Sequence, residues 1–225
     1  MNTQKNTTEK LSRLIIFASG SKDGGGSGFA NLVAAQQKGV LNADIVGVVS
    51  NHEFGGVREH ATRLGVPFYY FPLPREGEDY RALVEKTGAD FVALSGWLKL
   101  YKQPDSAKTF NIHPAILPWT KGTYGHFAHE AALEAYKRGD IAHSAVTMHF
   151  VDEEYDKGPI FFEVPVAIMP DDTAETLAKR VNKAEHFYQP MVTDAVVNGR
   201  IHWDGVNPAS LVVPEEFKNL PVFEG

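Results

Sequence analysis

The sequence predicts an α/β fold on a largely parallel sheet, and three observations carry that expectation. Short, continuously apolar runs recur from Leu14 to Ser95, as strands covered on both faces require. Each of the first three runs leads, after a short connection, into a stretch with helical spacing. A glycine-rich loop joins the first run to the first helix. Such alternation implies right-handed crossovers with helices on both faces of the sheet.

Leu14 to Ala18 is the first strand, and the loop Ser19 to Gly28 opens a helix from Phe29 to Gln37 that presents Phe29, Leu32 and Val33 on one face. Ile45 to Ser50 is the second strand, followed by a helix from Val57 to Leu64 that Gly65 ends. Val66 to Phe71 is the third, closed by Pro72 and Pro74, and Tyr80 to Lys86 is helical. Phe91 to Ser95 is the fourth and leads into Gly96-Trp97. Beyond an extended segment around Asn111 and a loop from Trp119 to Gly125, a helix is expected over His126 to Arg138. Ser144 to Val151 alternates like a strand, and Gly158-Pro159 opens another extended run, Ile160 to Ile168. Asp172-Thr173-Ala174-Glu175 reads as an Asp cap with Glu three residues on. That helix should reach about Val197, bent or interrupted at Pro190. Arg200 to Trp203 reads as a last short strand. The expected organisation is a polar tail over 1–12, one two-lobed domain over 13–203, and an irregular extension over 204–225 to which no role attaches.

With 225 residues and 43% hydrophobic content, the chain can bury one sizeable core. The net charge of −6, without a basic block, argues against a nucleic-acid partner. The absence of cysteine removes disulfides, Cys-zinc sites and a Cys nucleophile. The N-terminal stretch lacks the apolar segment of a secretory signal. No apolar run reaches the roughly 18 residues of a spanning helix. A soluble cytoplasmic protein without a membrane partner is the expectation.

Within Phe110-Asn111-Ile112-His113-Pro114-Ala115-Ile116-Leu117-Pro118, an amide and an imidazole stand two residues apart. In extended chain they share one side, leaving Phe110 and Ile112 to anchor the other. Both can serve a polarised carbonyl oxygen, although a structural histidine beside a proline turn has the same local look. In the acidic loop Val151 to Pro159, Asp156 is a candidate partner that would raise the His113 pKa and fix the ring. The strand–loop–helix context makes the glycine-rich loop a candidate anion site, in neither the dinucleotide nor the nucleotide-hydrolase register. Gly96 lies at the end of its strand, where open α/β sheets place ligands. His126 and His129 could share a helix face, but surface or hydrogen-bonding roles fit them better than zinc. A buried Glu185 would need a ligand or a cation.

Together these segments resemble the folate-dependent formyltransferases, above all their glycinamide ribonucleotide branch, from about Leu14 to Arg200. The most specific elements are Asn111 to Pro118 and Asp156-Lys157-Gly158-Pro159. Lys121-Gly122-Thr123-Tyr124-Gly125, followed by His129-Glu130-Ala131, is similar to one branch of the family. Phe91 to Leu100 resembles its folate-side strand and loop; Ala184-Glu185-His186 and Tyr188-Gln189-Pro190 resemble its C-terminal helix. The resemblance implies a Rossmann-like fold, an N-terminal parallel βαβ sheet continued by a mixed C-terminal part. It implies 10-formyltetrahydrofolate as co-substrate without a metal, and glycinamide ribonucleotide as acceptor in purine biosynthesis, in a monomer or homodimer. It makes Asn111, His113 and Asp156 the catalytic trio, and puts the acceptor's phosphate on Gly26, Ser27 and Gly28 with a charge contact from Lys22. Gly96 and Glu185 would touch the acceptor. Trp97, Leu98, Lys99 and Leu100, with Arg75 and Asp152, would hold the folate. One departure stands out. The family's loop reads Ser-Gly-x-Gly-Ser-Asn, whereas Ser21 to Gly25 here separate Ser19-Gly20 from Gly26-Ser27, and Gly28 stands where Asn is usual. Which amides hold the phosphate is therefore open. Two alternatives stay in view: an N-formyltransferase acting on a nucleotide-linked amino sugar, and a non-catalytic phosphate-ligand binding module.

Overall fold

The computed structural model describes residues 10–117, 119–120 and 125–225. The expected tail up to Glu9, Pro118 and the segment Lys121 to Tyr124 lie outside the described residues, as does the His126 side chain. The elements are β1 (Arg13–Phe17), α1 (Ser27–Gln37), β2 (Asp44–Ser50), α2 (Gly56–Leu64), β3 (Phe68–Tyr70), α3 (Gly77–Thr87), β4 (Phe91–Ser95), β5 (Thr109–His113), α4 (His126–Arg138), β6 (Ser144–Phe150), β7 (Ile160–Val166) and α5 (Ala174–Val197). The strands form one sheet in the order β3-β2-β1-β4-β5-β6-β7. The pairs from β3 through β5 are parallel. β6 and β7 then run antiparallel, with Asn111 opposite His149 and His113 opposite Thr147. The mixed sheet matches the expected continuation of a parallel half by a mixed part.

The apolar runs earn their strands by being covered on both faces. On β1, Leu14 and Ile16 enter one core and Ile15 and Phe17 the other. The first core holds α1, α2 and α5 residues such as Phe29, Val57 and Leu177. The second is aromatic, with Phe17 5.3 Å from both Trp97 and Tyr101, and Phe71 4.8 Å from Tyr80, between ring centres. These edge-on and tilted rings make a stiff floor under residues 96–101.

Three local expectations change, and the tail, to which the sequence assigned no role, gains contacts. The α5 cap is Thr173, whose hydroxyl accepts from Thr176 N at 3.2 Å. The Asp172 carboxylate instead accepts from Met169 N at 2.7 Å, from Arg180 Nη1 at 2.6 Å and from the Thr176 hydroxyl at 2.7 Å. α5 also runs unbroken through Pro190. Proline has no N–H for the carbonyl four residues back. Asn31 Nδ2 of α1 donates to that carbonyl, His186 O, at 2.7 Å, and so supplies the missing bond from outside the helix. Arg200 to Trp203 is no strand; it makes a single bridge, His202 to Val212. The extension after Asp204 is not idle chain: Leu211, Val213, Phe217, Leu220 and Phe223 pack against the first core.

Candidate active site

A cavity of about 550 Å³ opens at the C-terminal ends of β4 and β5, beneath α5. Its wall includes Asn111 and His113 of β5, His149 of β6, Asp152 and Asp156 of the loop before β7, and Glu185 of α5. Gly96, Trp97, Leu98, Lys99 and Leu100 form the opposite lip. The alternation of β5 puts Asn111 and His113 on the cavity side. Phe110 and Ile112 belong to the core, as expected, although Ile112 also touches the cavity.

The chain just past His113 is pinned by Thr147 of β6, whose hydroxyl donates to Ala115 O at 2.9 Å. His113 is buried, and its Nε2 lies 3.0 Å from Thr120 Oγ1, which donates to Ile116 O at 2.9 Å. The other ring nitrogen, Nδ1, lies 3.9 Å from Asp156 Oδ2. Asp156 also reaches His149, Oδ1 to Nε2 at 3.4 Å, and the same Nε2 is 3.2 Å from Asn111 Nδ2. His149 Nδ1 donates to Phe150 O at 2.8 Å, which fixes that ring. The expected effect of Asp156 on His113 is outweighed. Burial lowers the imidazole to about 4; Asp156 pulls it up, and His149 pushes it down. A desolvated ring prefers to be uncharged even with a carboxylate near by.

Asp156 arrives through the tight return of its loop. A Cβ on Gly158 would stand 1.8 Å from Phe150 O, so only glycine lets the loop close against β6. Asp156 itself takes a left-handed backbone, φ 53°. Glu185 faces the cavity, and burial raises its carboxyl to about 7, against a weak hydrogen bond from Asn182 that lowers it.

Several expected residues fall elsewhere. Gly26, Ser27, Gly28 and Lys22 do not line the cavity, and the Lys22 side chain is exposed. The glycine-rich loop is nevertheless tied to it: Ser19 N donates to Gly96 O and Ser19 Oγ accepts from Leu98 N, both at 2.9 Å. The N-terminus of α1 has no side-chain cap. The Gly28 departure has a steric cause, since a Cβ there would lie 2.3 Å from Ser95 Oγ, which accepts from Gln189 Nε2 at 3.0 Å. Arg75 is not on the cavity wall. It is buried, with Nε donating to Phe71 O at 2.7 Å and its guanidinium over the Phe71 and Trp97 rings. His129, expected in a surface or hydrogen-bonding role, is buried in the cavity wall. Sequence reasoning missed His149 and Thr120. The alternation Thr147-x-His149 was the available signal for the first; none announced the second.

A formyl transferase sequence profile matches residues 12–193. The chain belongs to the formyl transferase family. Phosphoribosylglycinamide formyltransferase, chloroplastic, of Arabidopsis thaliana is 39% identical over 209 residues, covering 86% of this formyl transferase and 69% of the plant protein. Its namesake from Vigna unguiculata is 36% identical over 213 residues, with 88% and 66% covered. The chain thus spans about two thirds of the length of these relatives. The crystal structure of phosphoribosylglycinamide formyltransferase from Anaplasma phagocytophilum aligns with a TM-score of 0.77 at 26% identity, over 96% of this chain and 100% of that one. The seven-stranded sheet is the Rossmann-like formyltransferase fold. No helix among the described residues is long and apolar enough to cross a membrane.

Proposed function

We propose that this formyl transferase moves the formyl group of 10-formyltetrahydrofolate to the primary amine of glycinamide ribonucleotide, in purine biosynthesis. The observation that carries the reading is the convergence of Asn111, His113 and Asp156 on one cavity, between the 96–100 lip and Glu185. The names of the relatives supply the acceptor.

The acceptor's amine is itself the nucleophile, so no acyl-enzyme is required. Its attack on the formyl carbon generates a tetrahedral centre with a developing oxyanion, which Asn111 Nδ2 and His113 stabilise. Loss of one such donor costs about 10² to 10³ in rate. Asp156 steadies the positive charge that builds as a proton moves from the amine to the leaving folate nitrogen, and positioned proton transfer is worth about 10² to 10⁴. The pterin lies along Trp97 to Leu100, with Asp152 at its edge. The phosphate sits on the uncapped amides of α1, which the Ser19 contacts hold beside the lip. Holding two substrates in register contributes as much as roughly 7 to 11 kcal/mol.

Single-turnover formyl transfer tests the trio. Asn111→Ala, His113→Ala and Asp156→Asn should each slow it by about 10² or more. Near-wild-type rates in folded variants would remove the assignment. Offering an amino-sugar nucleotide in place of glycinamide ribonucleotide separates the acceptors, and ligand binding without turnover of either would mark a binding module.

A further inference from the structure

A hydroxyl has one proton to give, and a carbonyl oxygen can only accept. Thr120 Oγ1 donates to Ile116 O at 2.9 Å, so its contact with His113 Nε2 at 3.0 Å is satisfied only when Nε2 carries the proton. Thr120 is fully buried, and water therefore does not compete for these bonds. We infer that Thr120 is a positioning residue for the reaction, holding His113 as the Nε2–H tautomer so that Nδ1, 3.9 Å from Asp156 Oδ2, is the nitrogen that receives the substrate's proton.

This deepens the formyl-transfer reading and rests on it for the chemistry. At rest His113 is uncharged, because burial lowers the imidazole to about 4. Among the described residues, the charged groups that act on it are Asp156 and His149. In the Nε2–H tautomer the ring has no proton at Nδ1, so it enters the reaction as a base. Attack forms the bond between amine nitrogen and formyl carbon. The amine's N–H bond then breaks, and its proton moves to Nδ1. Only now is His113 a donor at that atom, able to meet the oxyanion, with Asp156 stabilising the imidazolium. The bond from formyl carbon to folate nitrogen breaks with its electron pair on nitrogen. That nitrogen takes the proton from Nδ1, and the ring returns to its starting tautomer. A ring locked the other way, with Nδ1–H, would have no base to offer at the cavity.

The test reads the ring directly. In substrate-free protein with ¹⁵N-labelled histidine at pH 7, long-range proton–nitrogen spectra should show His113 with Nε2 protonated and Nδ1 bare. Thr120→Val should replace this pattern with a mixture of tautomers, and Thr120→Ser should restore it. Single-turnover transfer should fall about tenfold in Thr120→Val, the scale of one hydrogen bond, and recover in Thr120→Ser. A wild-type ring protonated at Nδ1 would overturn the inference, as would a Thr120→Val variant that keeps both pattern and rate. Should the valine variant fail to fold, the wild-type and Thr120→Ser spectra decide alone. Because the spectra need no substrate, failure to formylate glycinamide ribonucleotide would count against the proposed reaction and leave the tautomer reading intact.

Discussion

Glu185 has a carboxyl that titrates near 4.5 in the unfolded chain and about 7 in the folded one, chiefly through burial. Below 4.5 both states are protonated. As pH rises from 4.5 to 7 the unfolded chain sheds a proton that the folded chain keeps, so this group's contribution to stability declines across that window. Glu185→Gln should therefore stabilise the protein above pH 7 by up to about 3 kcal/mol and change little below pH 4.5. Urea denaturation at pH 4.5 and 8 measures this, and an equal effect at both would show that burial of charge is not the cause. The left-handed backbone of Asp156 likewise guides the choice of variant. Asn tolerates that conformation, whereas alanine there would mix backbone strain with lost chemistry. At this scale the sequence exposed residues whose neighbours make them conspicuous: Asn111 and His113 between apolar residues and prolines, Asp156 beside Gly158. His149 and Thr120 were hidden, because strand register and a turn bring them to the ring.

Among the elements, α5 depends on a neighbour for one of its own hydrogen bonds. Asn31→Ala leaves the His186 carbonyl without the donor that Pro190 cannot supply, and should cost about 1–2 kcal/mol. Pro190→Ala returns an N–H at the right place in the helix, so in that background Asn31→Ala should cost measurably less. A double-mutant cycle followed by urea midpoint checks the coupling, and strict additivity would count against it. The main strands were legible because runs such as Ile15, Ile16 and Phe17 are apolar on both faces. The α5 cap was misread by one residue because Asp172 and Thr173 are both good caps, and the decision rests with Arg180, two turns further on. The continuity through Pro190 was illegible for a similar reason: its remedy, Asn31, stands 155 residues from the His186 carbonyl it serves.

On the scale of the molecule, the extension covers one edge of the sheet. β7 is an edge strand, and an open edge invites pairing with other chains. Phe223 answers this by donating to Pro165 O at 2.8 Å and accepting from Ala167 N at 3.0 Å, while Phe217 packs on Phe162 at 6.3 Å. Removing residues 206–225 should lower Tm by about 4–8 °C, as a loss near 2 kcal/mol does at this size, and promote aggregation. Thermal melting with light scattering tests both, and an unchanged Tm would mean that the tail adds nothing. The overall fold class followed from alternating strands and helices, but the role of the tail did not, because sparse apolar residues in irregular chain carry no periodic signal. The pairing of Asn111 with His149 has one more consequence, in evolutionary terms. The two residues are fixed by ladder bonds between adjacent strands, while the chain makes a long excursion between them. Lengthening such an excursion adds only about 0.6 kcal/mol per doubling. Descendants can therefore lengthen or rewrite the part of that excursion after His129 and acquire new acceptors, while Thr120 and the inherited reaction centre stay where they were.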